Sequence, residues 1–383
     1  MSRLADLIAQ LCPDGVEYRA LGDVAELKRG QAVTRKEIVE GQVPVIAGGR
    51  EPAYYIDRPN RQGETIVIAG SGAYAGFVSF WNEPIFVSDA FSIVVDRGTL
   101  QPRFVYHWLR GRQETIHALK SGGGVPHVYP KDVAKLRCPI PPLEVQREIV
   151  RILDQFTTLE AELEAELEAR RPQYEHYRNH LLSYDSLAAR GPVNVIELRD
   201  VGVVRMCKRI HKAETSVQGD IPFFKISTFG GTPTSFISAE LYEKYKEKYP
   251  YPKQGDLLIS AAGTIGQIVR FDGADAYFQD SNIVWLEHDE SIVLNRYLYF
   301  VYLNTRWTTD GGTIKRLYNN RILQQQICVP PIETQIAIAD LLDRFDALVN
   351  DISLGLPAEI AARRAQYEHY RDRLLSFPEK KAE

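Results

Sequence analysis

The chain has 383 residues, with 46 Lys plus Arg against 50 Asp plus Glu, a formal charge of −4 and a pI near 6.1. An apolar content of 44% with 10% aromatics excludes wholesale disorder, and the length predicts two domains or a little more. No window approaches eighteen uncharged apolar residues, the opening MSRLADLIAQLCPDG lacks a secretory leader pattern, and Cys12, Cys138, Cys207 and Cys328 stand alone, so a soluble, cytoplasmic chain with reduced buried thiols and no structural metal is expected.

In chain order, a short N-terminal segment (residues 1–16) leads into a globular stretch over residues 17–140. Within it GETIVIAG, FVSFWNEPIFV and FSIVVD are β-branched and aromatic runs bounded by Gly, Pro and Asp, which predict strands and turns; FVYHWLRGRQETIHALKS predicts helix. A Pro-Pro pair at 141–142 blocks helix upstream. Beyond it, steps of four and three pick out Ile149, Leu153, Phe156, Glu160, Leu163, Leu167, Arg170, Tyr174, Tyr177 and Leu181, a heptad seam with two polar positions. This predicts a spacer helix over residues 141–186, with Pro172 expected to kink or locally break it.

The pattern then begins again. A second globular stretch over residues 187–329 carries strand runs GDLLISAAG, IVRFDG and NIVWLE and a helical run LNRYLYFVYLNTRW. A second spacer helix over residues 330–377 has the seam Ile338, Leu342, Phe345, Val349, Ile352, Leu356, Ile360, Arg363, Tyr367, Tyr370 and Leu374, and a tail covers residues 378–383. Two consecutive steps of four mark a stutter, and Gly355 with Pro357 should kink or locally break this helix as well.

The halves are copies of one another. RRPQYEHYRNHLLSY (residues 170–184) recurs as RRAQYEHYRDRLLSF (residues 363–377), and PPLEVQREIVRILDQF recurs as PPIETQIAIADLLDRF. The offset grows from 189 to 193 between these two matches, so four residues were gained inside the second helical run. A single long helix cannot bury its seam alone, and the other copy is the nearest complementary surface. The predicted fold is therefore α+β: two globular domains separated by two long antiparallel helices, an intramolecular coiled coil relating the halves by a pseudo-two-fold axis. The Glu-rich run LEAELEAELEARR reads as the solvated face of a good helix former.

Positive charge favours the globular stretches: residues 17–137 carry 16 basic and 13 acidic side chains, and residues 193–328 carry 16 and 15, whereas both helical runs are net acidic. The contrast is modest by the standard of basic nucleic-acid-binding domains. Catalytic signatures are missing: there is no FxGxG methyl-donor loop, no N/D-P-P-Y/F tetrapeptide, no Walker A lysine loop, no GxSxG and no HExxH. Asp14 and Glu17 lie too close together for a nuclease carboxylate pair, and His176 and His369, equivalent in the two tails, read as structural or interface residues.

Loops rich in glycine and cations are the candidate DNA contacts, because glycine allows close backbone approach and cations hold phosphates. In the first half these are Lys28, Arg29, Arg35, Lys36 and Arg50, with Lys120, His127 and Tyr129 around Gly122-Gly123-Gly124. In the second half they are Lys208, Arg209, Lys212 and Lys225, with Lys315, Arg316 and Tyr318 after Gly311-Gly312. A tight turn or solvated surface is the competing reading at each. Features kept in both halves cannot account for any difference between the halves, so Glu144, Gln146, Tyr174, Tyr177, Glu333, Gln335, Tyr367 and Tyr370 are assigned to fold or partner binding.

Two variable globular halves, each closed by a Pro-Pro-x-E-x-Q helix entry and a helix ending in Q-Y-E-x-Y-R-x-x-L-L, resemble the specificity subunit of type I restriction-modification systems, as does the opening LIAQLCPDGVEYRALGDV. The resemblance spans essentially the whole chain. It implies a non-catalytic subunit in which each globular half is a target recognition domain for one part of a bipartite double-stranded DNA sequence. It further implies that the helices act as a spacer and dock two methyltransferase subunits, and that restriction (motor-nuclease) subunits join that core. S-adenosylmethionine, ATP and Mg would then belong to partner subunits, with no cofactor on this chain. Two other readings stay open on the residues alone: a coiled-coil scaffold that does not bind DNA, and a diverged methyltransferase or nuclease.

Overall fold

The computed structural model describes residues 2–34, 39–122, 124–309 and 315–380. It divides into two compact units: residues 1–165 with 359–383, and residues 166–358. Each unit therefore combines one globular head with a piece of both long helical runs.

The first head opens with helix α1 (Ser2–Leu11), strand β1 (Glu17–Ala20), a single helical turn α2 (Leu21–Val24) and strand β2 (Ala25–Arg29). Strands β3 (Val43–Ile46), β4 (Tyr55–Ile56), β5 (Thr65–Ala69), β6 (Val78–Trp81), β7 (Phe86–Val87) and β8 (Ala90–Val95) follow. Helices α3 (Pro102–Arg110), α4 (Gln113–Ala118) and α5 (Pro130–Val133) lead to strand β9 (Arg137–Ile140). The central sheet has the order β2-β8-β5-β6, all antiparallel; a smaller sheet is ordered β4-β3-β7, with β3 and β7 parallel. β5 is buried along its whole length, as its uninterrupted run TIVIA requires. Trp108, Phe104 and Leu109 of α3 close the core beneath it.

After helix α6 (Leu143–Leu181) and the short α7 (Tyr184–Ala188), the same plan repeats with β10 (Asn194–Glu197), β11 (Gly202–Arg205), β12 (Ile221–Phe224) and β13 (Phe236–Ile237). Helix α8 (Ala239–Lys248) is followed by β14 (Leu257–Ser260), β15 (Ile268–Arg270), β16 (Tyr277–Phe278), β17 (Ile283–His288), α9 (Asn295–Asn304), α10 (Asn319–Leu323) and β18 (Gln326–Val329). The sheet orders β11-β17-β14-β15, β13-β12-β16 and β10-β18 correspond strand for strand to those of the first head, where β1 pairs with β9. The internal duplication predicted from the repeats is thus present in the topology. α8, with a Ser238 cap on the backbone of Leu241, has no counterpart in the first head's element order.

α6 runs unbroken through Pro172 for 39 residues, about 58 Å, which corrects the expected break. Strong helix formers flank the proline, the pairs Arg170–Glu166 (2.7 Å) and Arg171–Glu168 (2.6 Å) support the turn before it, and Arg170 donates across it to Gln173 Oε1 (2.7 Å). The second run does break. It forms α11 (Ile332–Asn350) and α12 (Leu356–Leu374), separated by a turn in which the Asp351 carboxylate accepts from the backbone of Ser353 and Leu354. Gly355 is sterically required there, since a Cβ would sit 2.3 Å from the Ala347 carbonyl. The four gained residues are accommodated by this turn, not by a stutter in a continuous helix, and Ile352, expected in the seam, is 83% exposed.

The helices pair antiparallel within each unit. In the first, Phe156 stacks on Tyr370 (5.3 Å between centroids), and Arg364 pairs with Glu160 (2.8 Å) and Glu164 (3.1 Å). In the second, Tyr174 donates to Asp346 (2.9 Å), and Tyr177 stacks on Phe345 (5.6 Å).

Each head is fastened to its spacer helix by the same two devices. Gln146 is fully buried: its Oε1 accepts from the Gln101 amide (2.8 Å), and its Nε2 donates to the carbonyls of Thr99 (2.8 Å) and Pro141 (2.7 Å). Gln335 repeats this with Leu294, Ile292 and Pro330. The second device is an Arg–Asp pair, Arg103–Asp154 (2.7 Å) in one unit and Arg296–Asp343 (2.6 Å) in the other. In the first unit Asp154 also takes a hydrogen bond from His107 Nε2 (2.8 Å), whose Nδ1 accepts from Tyr367 (2.9 Å). Burial pushes the His107 pKa below its usual value, against the pull of Asp154, so the neutral ring donates to one neighbour and accepts from the other.

Among the described residues no helix is long and apolar enough to cross a membrane, and no cluster of His, Cys, Asp and Glu has metal-ligand geometry. Cys12, Cys138 and Cys207 are buried thiols and Cys328 is half-buried.

Candidate nucleic-acid interface

Both heads carry a cleft at the same end of the central sheet. In the first head it lies where β2 ends, β5 ends and β8 begins, and it encloses about 390 Å³ lined by Arg29, Gly70, Asp89, His127 and Tyr129. Arg61, outside the lining, braces the end of β2 against β8: its guanidinium donates to Ser92 Oγ (2.7 Å) and to the carbonyls of Asn60 (2.8 Å) and Arg29 (3.0 Å). Burial lowers the Arg61 pKa from its usual value, with Glu26 opposing the shift. Because Arg61 holds the backbone of Arg29, the Arg29 side chain projects from a fixed point and stays exposed. Gly30 lets the chain pass close to the β7–β8 turn; a Cβ there would lie 1.9 Å from the Ser88 carbonyl. His127 stacks on Tyr129 with 6.0 Å between centroids, and Ser121 and His127 exchange backbone hydrogen bonds (2.9 Å each) across the glycine loop.

The second cleft, about 370 Å³, is lined by Arg209, Lys212, Lys225, Asp280, Asn282 and Arg316. Three of its cations are held by neighbouring side chains. Arg209 pairs with Asp280 (2.9 Å), Lys225 donates to Ser235 (2.7 Å), and Arg316 donates to Asn282 (2.8 Å).

The structure thus brings together Arg29, His127 and Tyr129 in one head and Arg209, Lys212, Lys225 and Arg316 in the other. The remaining described candidates lie outside these linings. Lys28 is paired with Glu26 (3.0 Å), Arg50 stacks over Tyr74 (4.9 Å), Lys120 donates to the Ala73 carbonyl (3.2 Å), and Lys208 lies over Tyr249 (5.3 Å). Lys315 and Tyr318 are exposed on the chain flanking Arg316. Arg35, Lys36, Gly123, Gly311 and Gly312 fall outside the described residues. Sequence reasoning missed the carboxylates Asp89 and Asp280, because a search for phosphate contacts selects only cations.

Of the residues assigned to partner binding, Gln146, Gln335, Tyr174 and Tyr367 are buried and satisfied within the chain, so they build the fold and offer no surface. Glu144 and Glu333 are exposed in the first turns of their helices, Tyr177 is 41% exposed, and Tyr370 is half-buried. The surface shared by the two helix pairs is therefore the Phe–Tyr stack, Phe156 with Tyr370 and Phe345 with Tyr177. Exposure of Tyr177 departs from its seam assignment.

Comparison with known proteins settles the class. The profile of the type I restriction modification DNA specificity domain matches residues 13–169 and again residues 191–362. The chain belongs to this family. It is 42% identical over 384 residues to a Haemophilus influenzae protein assigned as a type I restriction enzyme specificity subunit, covering 94% of this chain and 96% of that one. It is 31% identical over 304 residues to a type I restriction enzyme specificity subunit of Escherichia coli, covering 72% and 71%. The crystal structure of a type I restriction-modification S subunit from M. genitalium shares the fold, with a TM-score of 0.62 at 18% identity over 94% of this chain and 96% of that one. As a specificity subunit, the chain recognises DNA for a larger complex and is not itself the enzyme, which removes the scaffold and diverged-enzyme readings.

Proposed function

We propose that each head reads one half of a bipartite double-stranded DNA target through its cleft, while the paired helices set the half-site spacing and dock two methyltransferase subunits. One observation carries this reading: the duplicated frame places a cleft at the same point in both heads but fills it with different side chains, while the helix pairs carry the same aromatic stack. Different clefts suit different half-sites, and matching helix surfaces suit two copies of one partner. Arg29, Arg209, Lys212, Lys225 and Arg316 offer charge to phosphates or donors to base edges, and His127 and Tyr129 offer stacked rings. Restriction (motor-nuclease) subunits join this core, and S-adenosylmethionine, ATP and Mg stay with the partners.

The test is methylation-sensitive sequencing of host DNA with and without the gene. A split adenine-methylated motif that disappears on deletion is the expected result. Survival of every methylated motif after deletion would overturn the proposal.

A further inference from the structure

The duplication allows a comparison between heads at one particular residue. In the first head, parallel β3 and β7 align Ile46 with Val87, and the Ser88 amide donates to the Ile46 carbonyl (2.8 Å). In the second, β12 and β16 align Phe224 with Phe278, and the Gln279 amide donates to the Phe224 carbonyl (2.9 Å). The next residue is an aspartate in both, Asp89 and Asp280, and both line their clefts.

Their wiring differs. Asp280 is neutralised by Arg209 (2.9 Å) and touched by the Ser281 hydroxyl (3.2 Å), and its side chain is only 16% exposed. Ser281, with φ of 59°, belongs to an extra residue that the second head inserts before its long strand. Asp89 is exposed, accepts from the Ser71 hydroxyl, and has no cation within ion-pair distance among the described residues. Its surroundings are glycine: Gly70 donates its amide to the Asp89 carbonyl (3.1 Å), and a Cβ built at Gly72 would meet nothing within 4 Å. Beside a phosphate backbone an unneutralised carboxylate repels, unless it accepts a hydrogen bond from the nucleic acid. On the major-groove edge the donors are exocyclic amino groups, cytosine N4 and adenine N6.

Resting on the reading of the clefts as DNA surfaces, we infer that Asp89 is a specificity-determining residue that accepts a hydrogen bond from an exocyclic amino group in the first head's half-site. Asp280, engaged by Arg209, positions that arginine instead of reading a base.

The experiment measures binding of the chain, assembled with its partner subunits, to duplexes of the methylated motif. In these duplexes single amino groups are removed, with 2-pyrimidinone replacing cytosine or purine replacing adenine. The expected result is one position in one half-site where the wild-type complex loses roughly ten- to a hundred-fold in affinity and the Asp89→Ala complex loses nothing further. The analogue responsible identifies the base. Asp280→Asn should leave that position's response intact. Wild-type binding indifferent to every amino group in that half-site, or an Asp89→Ala complex as sensitive as wild type, would overturn the inference; the wild-type arm decides even where the variant fails to assemble. Wild-type binding with no bipartite requirement would instead defeat the underlying reading of the heads.

Discussion

Gln146 offers a direct test of how the heads are attached. Replacing it with leucine keeps the approximate volume but removes three hydrogen bonds of 2.7–2.8 Å, and leaves the Gln101 amide and the Thr99 and Pro141 carbonyls without that partner. Each bond contributes about 1 kcal/mol net, and partial orphaning of the backbone groups adds to the loss, while the extra apolar burial returns about 1 kcal/mol. The expected destabilisation is about 2–4 kcal/mol, or roughly 5–12 °C in the melting of a unit of this size. Thermal unfolding of the purified chain by calorimetry reads it, with Glu144→Gln, on the exposed side of the same turn, staying within about 0.5 kcal/mol of wild type. Gln335→Leu should produce a matching loss in the other unit. A Gln146→Leu chain that melts within a degree of wild type but fails to bind partner subunits would refute the reasoning and return this residue to the partner interface.

Other consequences follow from the same contacts. His107 has a folded pKa below its unfolded value near 6.5, so its contribution is complete above pH ~6.5 and is lost as pH falls toward the folded pKa; Asp154, held below the usual carboxylate range by His107 and Arg103 despite burial, fails only at lower pH. Melting temperature against pH should show this first acid step, and His107→Phe, the residue found at the equivalent Phe300, should abolish the step while lowering stability at pH 7.5 by about 1–3 kcal/mol; an unchanged acid step would contradict the assignment. Burial pushes the Cys138 and Cys207 thiols up to about 12, so alkylation at pH 8 should spare both until the chain unfolds, and rapid native-state labelling of either would show that the cores are open. Deleting four residues of the turn before Gly355 should change the spacing between methylated half-sites or abolish methylation; unchanged spacing with full methylation would show that the helices do not act as a ruler.

Much of this architecture is legible in the sequence because it is written twice. The repeated QYEHYR tails and Pro-Pro entries announce the duplication, and runs such as TIVIA and LLIS are apolar except for Thr65 and Ser260 because β5 and β14 are buried on both faces. Local patterns mislead where neighbours decide. Pro172 has a strong intrinsic tendency to break a helix, yet 39 residues remain helical around it. Tyr174 and Tyr177 look alike in a heptad, but one is buried against Asp346 and the other is exposed. Gln146 carries no local mark distinguishing a surface amide from a buried clasp; its partners, Thr99 and Gln101, lie more than forty residues away. α1 is a comparable omission, since its apolar face becomes meaningful only when Leu4 meets the first head's core.

The division of labour between the two heads is most directly tested by sequencing the methylated motif left by complexes carrying two cleft variants, Arg29→Ala with His127→Ala in one and Lys212→Ala with Arg316→Ala in the other. Each pair should relax or alter a different half of the motif while the opposite half and the intervening spacing stay fixed. A contiguous motif, or the same half responding to both pairs, would contradict the assignment of one half-site to each head.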